Sequence, residues 1–334
     1  MLKGLKYRIL FLILFLILLF AALSILFSLQ KTKKPDFRGF GWYGYLADDE
    51  INEESLQRIK ELGGNSVNIN VYYEYDLENE KFILLSNLTK IEEKINLAHQ
   101  KGLKVFLSPS ANLVGGHYTA AQIEKPETFL EGAKKISIQL AELAQRNDVE
   151  IYAVWNELGL AVLKIPNSTN MTNEWLQDAR RGIKKFYKGI LTTKEGVQLG
   201  LYQEYNFSGY ECIGVTFYPF TTSFAQDPYT NFTYAGVESL EKYEEVVQEE
   251  YRRLTNLKKK FDSDCIILGE IGIDVVGGEF VGTDNESQKI RVNAYEIVLK
   301  HGKNIIDGFY FGKFEHEAGG SEELAYMFKK YFSR

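Results

Sequence analysis

From Phe37 onward, short apolar runs alternate with amphipathic stretches to the end of the chain. Phe37 to Tyr43 reads as a first strand, and Leu56, Ile59 and Leu62 then recur at helical spacing until Gly63-Gly64 stops the helix. Ser66 to Tyr72 reads as the second strand, followed by a helix around Ile91, Ile95 and Ala98 that ends at Gly102. Leu103 to Leu107 is the third strand, Phe129 to Gln145 a helix, and Val149 to Trp155 the fourth strand. A helix over Glu174 to Tyr187 leads to a fifth strand at Val197 to Tyr202, then a short link to a sixth at Ile213 to Tyr218. The long charged helix Leu240 to Lys260 precedes Ile266 to Leu268, and Gln288 to Leu299 precedes Gly308 to Phe311. Glu322 to Phe332 closes the chain as a helix. Eight strand-helix units in unbroken alternation predict an α/β domain, a (β/α)8 TIM barrel over residues 36–334; a doubly wound open sheet is the competing topology.

The beginning of the chain follows a different pattern. A short basic tail, residues 1–8, carries Lys3, Lys6 and Arg8, and residues 9–29 are apolar apart from Ser24 and Ser28. About 21 residues at about 1.5 Å each span about 30 Å, the hydrocarbon thickness of a bilayer, so a transmembrane signal anchor is expected before the barrel. A cleaved signal peptide is the alternative, and Ala21-Ala22 offers small residues, but the apolar run outlasts the usual core of such peptides. Lys31, Lys33 and Lys34 in the linker, residues 30–35, nearly balance the tail and leave the positive-inside rule almost silent. Asn-X-Ser/Thr sequons at Asn87, Asn167, Asn170, Asn206, Asn231 and Asn285 favour an extracellular, glycosylated barrel held to the cell membrane by a single pass.

Charge narrows the partners. Of 39 Lys and Arg, six precede Pro35, where no acid occurs, so the barrel carries 33 basic against 45 acidic residues. An acidic surface is a poor match for phosphate, which excludes nucleic acid and favours an oligo- or polysaccharide. Cys212 and Cys265 open consecutive strands; buried free thiols are the expectation, with a disulfide in an oxidising exterior as the alternative.

Two glutamates stand where apolar, strand-like runs stop: Glu157 after Ile151-Tyr152-Ala153-Val154-Trp155-Asn156, and Glu270 after Ile266-Ile267-Leu268-Gly269. On parallel strands of one barrel, both carboxylates emerge at the carboxyl-terminal rim, where barrel enzymes place their working groups. A facing pair is the minimal equipment for breaking a glycosidic bond, one group protonating the leaving oxygen while the other attacks the anomeric carbon or activates water. Carboxyls about 5–5.5 Å apart give retention and about 6.5–9.5 Å inversion.

Trp155-Asn156-Glu157 and Leu268-Gly269-Glu270-Ile271-Gly272 resemble the acid/base and nucleophile signatures of the clan A retaining glycoside hydrolases. Phe37-Arg38-Gly39-Phe40-Gly41-Trp42 and Leu62-Gly63-Gly64-Asn65-Ser66-Val67 are similar, within that clan, to the single-barrel β-mannanases of glycoside hydrolase family 113. The resemblance implies a β-linked, mannan-type substrate cleaved by double displacement. It makes Glu157 the acid/base and Glu270 the nucleophile, with Asn156 on the sugar 2-hydroxyl and Tyr218 donating to the nucleophile. Glu157 must then arrive protonated, through burial beside Trp155 or the charge of Glu270. Two departures stand out: Thr216 occupies the place where many members carry His, and the second strand lacks the Arg many use near the nucleophile.

Aromatic residues crowd the expected rim: Trp42 and Tyr43, Tyr72 and Tyr73, Tyr118, Trp155, Tyr202 and Tyr205, Tyr218 and Tyr229, Tyr310 and Phe311. Sugar rings stack their C–H faces on such planes, while hydroxyls seek polar groups such as Asn70, Asn112 or Gln203. The binding set expected from these considerations is Asn156, Tyr218, Trp42, Trp155, Tyr72, Asn70, Asn112 and Tyr202.

No cofactor or metal is expected. Gly39, Gly41 and Gly44 match a dinucleotide fingerprint, but Trp42 and Tyr43 stand where pyrophosphate must approach and too little strand precedes. His99, His117, His301 and His316 show no metal spacing, and Glu315-His316-Glu317 reads as a solvated loop. Transglycosylation at the same site, and a barrel that binds glycans without cleaving them, are the competing functions.

Overall fold

The computed structural model describes residues 35–42, 51–113, 123, 125–162, 165–218, 239–273, 275–276, 279–280, 284–312 and 321–333, together with Phe15 and Leu19. The expected transmembrane span lies outside these apart from Phe15 and Leu19, both helical and exposed. Among the described residues no helix is long and apolar enough to cross a membrane. Residues 36–334 form one compact unit, separate from residues 1–35.

Eight parallel strand positions close on themselves. They are β1 (Phe37–Trp42), β2 (Ser66–Asp76), β4 (Lys104–Leu113), β5 (Ile151–Ala153), β6 (Ile190–Thr192), β8 (Cys212–Phe217), β9 (Cys265–Ile271) and β12 (Gly308–Phe311). β1 pairs with β2 on one side and with β12 on the other, which removes both sheet edges. Helices lie between them and after the last in sequence: α1 (Glu53–Glu61), α2 (Leu88–Gln100), α3 (Pro126–Arg146), α4 (Leu158–Ala161), α5 (Ser168–Ile183), α6 (Leu240–Phe261), α7 (Asn285–Gly302) and α8 (Glu322–Phe332).

The helix starts follow from side-chain caps. Asn52 and Ser55 form a reciprocal capping box on α1, and Ser239, Asp284 and Ser321 each accept a backbone N–H in the first turn of α6, α7 and α8.

Side-chain alternation divides the interior into two zones. Val67, Ile69, Val71 and Tyr73 of β2 face the helices, while Phe37, Phe106, Ile151, Ala153, Cys212, Cys265, Ile267 and Tyr310 form a cluster made of strand residues alone, filling the barrel. Above that plug, towards the carboxyl ends of the strands, the inward positions turn polar with the buried Asn68, Asn70, Ser108, Ser110 and Thr216.

The fifth barrel strand is not where hydrophobic pattern predicts it. Val197 to Tyr202 falls largely in a 3-10 helix, Gln198–Glu204, and Gly200 there adopts φ +70°, which no strand accepts. The strand itself is β6, resumed after a break as β7 (Glu195–Gly196), which pairs with Val215 and Thr216. Across the break the Thr193 hydroxyl donates to the Gly214 carbonyl at 2.9 Å, substituting for a ladder bond. An antiparallel strand, β3 (Lys81–Leu84), also pairs with the far end of β2, beyond the barrel. A two-stranded ribbon, β10 (Val275–Val276) and β11 (Glu279–Phe280), follows β9.

Cys212 and Cys265 correct the expectation of free thiols. They open β8 and β9 directly opposite one another, with Cα atoms 4.6 Å apart, and are joined as a disulfide. The bridge links residues 53 apart in sequence, so replacing Cys265 by Ser should lower unfolding free energy by about 2–4 kcal/mol. Denaturant titration with and without reductant checks this. Unchanged midpoints, with titratable thiols in the unfolded unreduced chain, would contradict the pairing.

Candidate active site

Glu157 lies just past β5, on an extension sewn to both neighbours. Val154 N–H donates to Thr192 O at 3.0 Å, Asn156 N–H to Pro109 O at 2.9 Å and Glu157 N–H to Lys194 O at 2.7 Å. Glu157 itself takes the left-handed conformation, φ 57°, turning the chain into α4. A branched or bulky residue resists that region, and its use here marks a position over-determined by its surroundings. The side chain is buried, and the Thr216 hydroxyl donates to its Oε1.

Glu270 reaches the same mouth through a bulge. Strict alternation from Cys265 and Ile267 would put Gly269 inward and Glu270 among the helices. The register against β8 jumps from Val215–Leu268 to Thr216–Glu270, and that against β12 slips at the same place. The extra residue re-aims Glu270 into the barrel, as β-bulges do beside active sites. Tyr218 O–H donates to Glu270 Oε1 at 2.7 Å, and Lys194 Nζ lies 3.2 Å from Oε2. A side chain at Gly272 would collide with the Tyr218 ring.

Thr216 brings the two acids together, since it stands in register beside Glu270 while its hydroxyl holds Glu157. Lys194 does so electrostatically. Fully buried, it accepts charge stabilisation from Glu270 first and Glu157 second, although burial dominates and pulls its pKa below the usual lysine value. Asn70 Oδ1 accepts from Lys194 Nζ at 3.2 Å and from the Ser108 hydroxyl. The next residue, Glu195, points the other way and receives the Gly159 N–H at 3.0 Å. Burial pushes its carboxyl up to about 8 against the pull of those backbone N–H bonds, and the Glu157 charge adds to the rise.

The expected binding residues separate into three groups. Tyr218 touches Glu270, Asn156 is buried beside Glu157 with Nδ2 3.4 Å from Ser110 Oγ, and Tyr72 and Asn112 share the inward parity of Asn70 and Ser110 at the rim. Asn70 is fully buried, and its Oδ1 accepts from Lys194 Nζ. Trp155 is a correction, because its ring packs edge-on against Phe82, Phe129 and Trp175 in the helix-facing core. Tyr202, carried off by the 3-10 helix, donates to Glu250 of α6 in the outer layer. Trp42 ends β1 at the rim opposite Ile69, its side chain outside the described part.

Of the remaining rim aromatics, Tyr73, Tyr205 and Phe311 are buried in the helix-facing core and Tyr310 in the barrel plug. Tyr43, Tyr118 and Tyr229 lie outside the described residues. Lys194 and Glu195 escaped sequence reasoning. Thr192-Thr193-Lys194-Glu195-Gly196 reads as a polar turn, and the faint signal was the apolar pair Ile190-Leu191 before its two β-branched threonines. Among the described residues no cluster of His, Cys, Asp and Glu could hold a metal ion, and Glu315-His316-Glu317 lies outside them.

The family model for cellulases, glycosyl hydrolase family 5, matches residues 28–306. Among solved structures the chain is similar to a family 113 β-1,4-mannanase at TM-score 0.66 and 15% identity, over 90% of this chain and 99% of that one. A family 113 β-mannanase from Alicyclobacillus acidocaldarius, in complex with ManMIm, gives 0.62 and 14%, over 89% and 97%. A family 5 lichenase from Caldicellulosiruptor sp. F32 gives 0.59 and 15%, over 88% and 92%. At these identities the likeness speaks for the fold. No curated protein matches the chain at a significant level.

Glu195 makes stability depend on pH. Its folded pKa is raised, so the folded state keeps a proton that the unfolded chain has released, and stability falls as pH rises from about 4.5 to about 8. Glu195→Gln should flatten that decline, gaining a few kcal/mol over wild type at about pH 8.5 relative to about pH 5. Urea midpoints at the two pH values test it; parallel wild-type and variant profiles would contradict it.

Proposed function

The chain belongs to the cellulase family, glycosyl hydrolase family 5, and is a retaining glycosidase; from that premise we propose that it cleaves a β-linked, mannan-type glycan with Glu157 as acid/base and Glu270 as nucleophile. The observation that carries the assignment is the shared support of the two acids. Thr216 and Lys194 engage both, which supports a reading in which one sugar ring at the mouth meets the two carboxyls.

In the first step a Glu270 oxygen attacks the anomeric carbon as the glycosidic C–O bond breaks, and Glu157 delivers its proton to the leaving oxygen. Glu270 is then an ester of the sugar. In the second step Glu157 takes a proton from water, the water oxygen attacks the anomeric carbon, and Glu270 leaves as carboxylate. Tyr218 steadies the nucleophile during both steps, and Asn156 is placed beside Glu157 to bind a sugar hydroxyl. The mannan preference draws on the opening motifs of the sequence and on the β-1,4-mannanase structures the fold resembles.

The barrel works outside the cell, held by residues 9–29 as a single-pass anchor. The apolar length of that segment supports it, and a disulfide belongs to an oxidising compartment. Sequon residues Asn87, Asn167, Asn170 and Asn285 are exposed, where attached glycans fit without unfolding.

Two measurements test this reading. With β-1,4-mannan, glucomannan and β-glucans offered in parallel and products read by mass spectrometry, oligosaccharide release should be greatest from mannan-type chains. Glu157→Gln and Glu270→Gln should each lower it at least about 10²-fold with unchanged thermal midpoints. Undiminished release by either variant would remove that residue from the mechanism. Deleting residues 1–29 should move the protein from membranes to the soluble fraction with activity intact, and membrane retention of the shortened chain would contradict the anchor.

A further inference from the structure

Lys194 is the buried cation of the mouth, and the fold makes room for it in three ways. The fifth barrel strand breaks between β6 and β7, and the break falls on Thr193-Lys194. Gly269, immediately before Glu270, leaves the space that the lysine stem occupies: a Cβ there would stand 3.2 Å from Lys194 Cγ, 3.3 Å from its Cδ and 2.9 Å from the Phe106 ring. Asn70, itself gripped by Ser108, receives the ammonium from below at 3.2 Å. The strand break, the glycine and the Asn70–Ser108 pair together deliver one ammonium to Glu270 Oε2. Leaving a lysine at full burial is costly unless its charge is matched, so such an arrangement calls for a purpose.

We propose that Lys194 is a positioning residue of the glycosidase reaction, supplying the counter-charge that aims Glu270 in the resting enzyme and passes to Glu157 in the glycosyl-enzyme. The inference rests on the assignment of Glu270 as nucleophile. Before attack, Lys194 Nζ and Tyr218 O–H hold the two Glu270 oxygens from different sides, so the carboxylate cannot swing away from the anomeric carbon. When a Glu270 oxygen bonds to that carbon, the negative charge of Glu270 is lost, while the proton of Glu157 departs with the leaving group. Lys194 is then left facing a newly formed carboxylate on Glu157, which must remove a proton from water next. One fixed cation therefore serves both half-reactions without moving.

The charge of Lys194 is also its vulnerability. Desolvation favours the neutral amine; Glu270 from β9 and Glu157 beyond β5 oppose it, with Asn70 of β2 accepting one N–H. Deprotonation on the alkaline side removes the counter-charge.

Dinitrophenyl β-mannobioside and β-cellobioside are suitable probes, because their leaving group needs no proton and the first step then reports on Glu270 and its support alone. Lys194→Met should slow that step at least about 100-fold with KM little changed and with the far-UV spectrum and thermal midpoint of a folded barrel. Lys194→Arg should recover much of the rate and carry the alkaline limb of the pH profile to higher pH, since guanidinium keeps its proton. If Lys194→Met does not fold, the displaced alkaline limb of Lys194→Arg decides the matter by itself. A folded Lys194→Met within about threefold of wild type, or an Arg variant whose alkaline limb does not move, overturns the role of Lys194 while Glu270→Gln remains inactive. A fully active Glu270→Gln, or no wild-type turnover of either probe, overturns the nucleophile assignment as well.

Discussion

Carrying two carboxylates into the mouth of a barrel is possible only where each finds a partner, since an unpaired charge away from water is among the largest costs a fold can incur. The upper barrel is arranged around that requirement. β2 supplies Asn70, β4 Ser108, the break in the fifth strand Lys194, β8 Thr216, and the residue following it Tyr218. They come from four separate segments of chain, so the site exists only when the sheet is closed. Below it the apolar plug of Phe106, Ile267 and Tyr310 excludes water and raises the strength of every interaction above.

Two backbone irregularities set the aim. A left-handed residue at Glu157 turns the chain out of the strand into α4, and a bulge at Gly269-Glu270 reverses the face to which a regular strand would send the Glu270 side chain. Local regularity is surrendered at the two acids and at Thr193-Lys194 between them, whereas β2 and β4 run in unbroken register over ten residue pairs from Ser66–Lys104 to Tyr75–Leu113. The distribution fits a scaffold that bears its distortion at the site of chemistry.

The last strand and the capped helices near the carboxyl end were legible in the sequence. β12 and α8 fall on their expected residues, and α6 differs from expectation by one residue at its end, because strong periodicity and serine caps leave little choice. The acids were legible as strand-end residues, and Tyr218 through its resemblance to the clan tyrosine at the end of the sixth strand. The fifth strand was not. Its segments, Ile190–Thr192 and Glu195–Gly196, are too short to display a period, while Val197 to Tyr202 imitates a strand until Gly200 and the Tyr202–Glu250 contact draw it into a helical turn. With the strand displaced, Lys194 could not be seen, nor could Asn70 be recognised as its seat. Trp155 was misjudged because a residue beside a catalytic motif can still pack backwards into the core. The two departures from the clan pattern acquire a physical reading: Thr216 meets Glu157 by its hydroxyl, and a cation for Glu270 arrives from the fifth strand instead of the second.

In the proposed reaction Glu270 forms a covalent bond to the sugar within reach of Glu157. Incubation with a dinitrophenyl 2-deoxy-2-fluoro β-mannobioside or β-cellobioside, which slows breakdown of the intermediate more than its formation, followed by peptide mass spectrometry, tests it most directly. A single disaccharide adduct is expected on the peptide containing Glu270, and it should disappear in Glu270→Gln. An adduct on another residue would contradict it, as would wild-type protein that turns over the corresponding unfluorinated glycoside yet never acquires label.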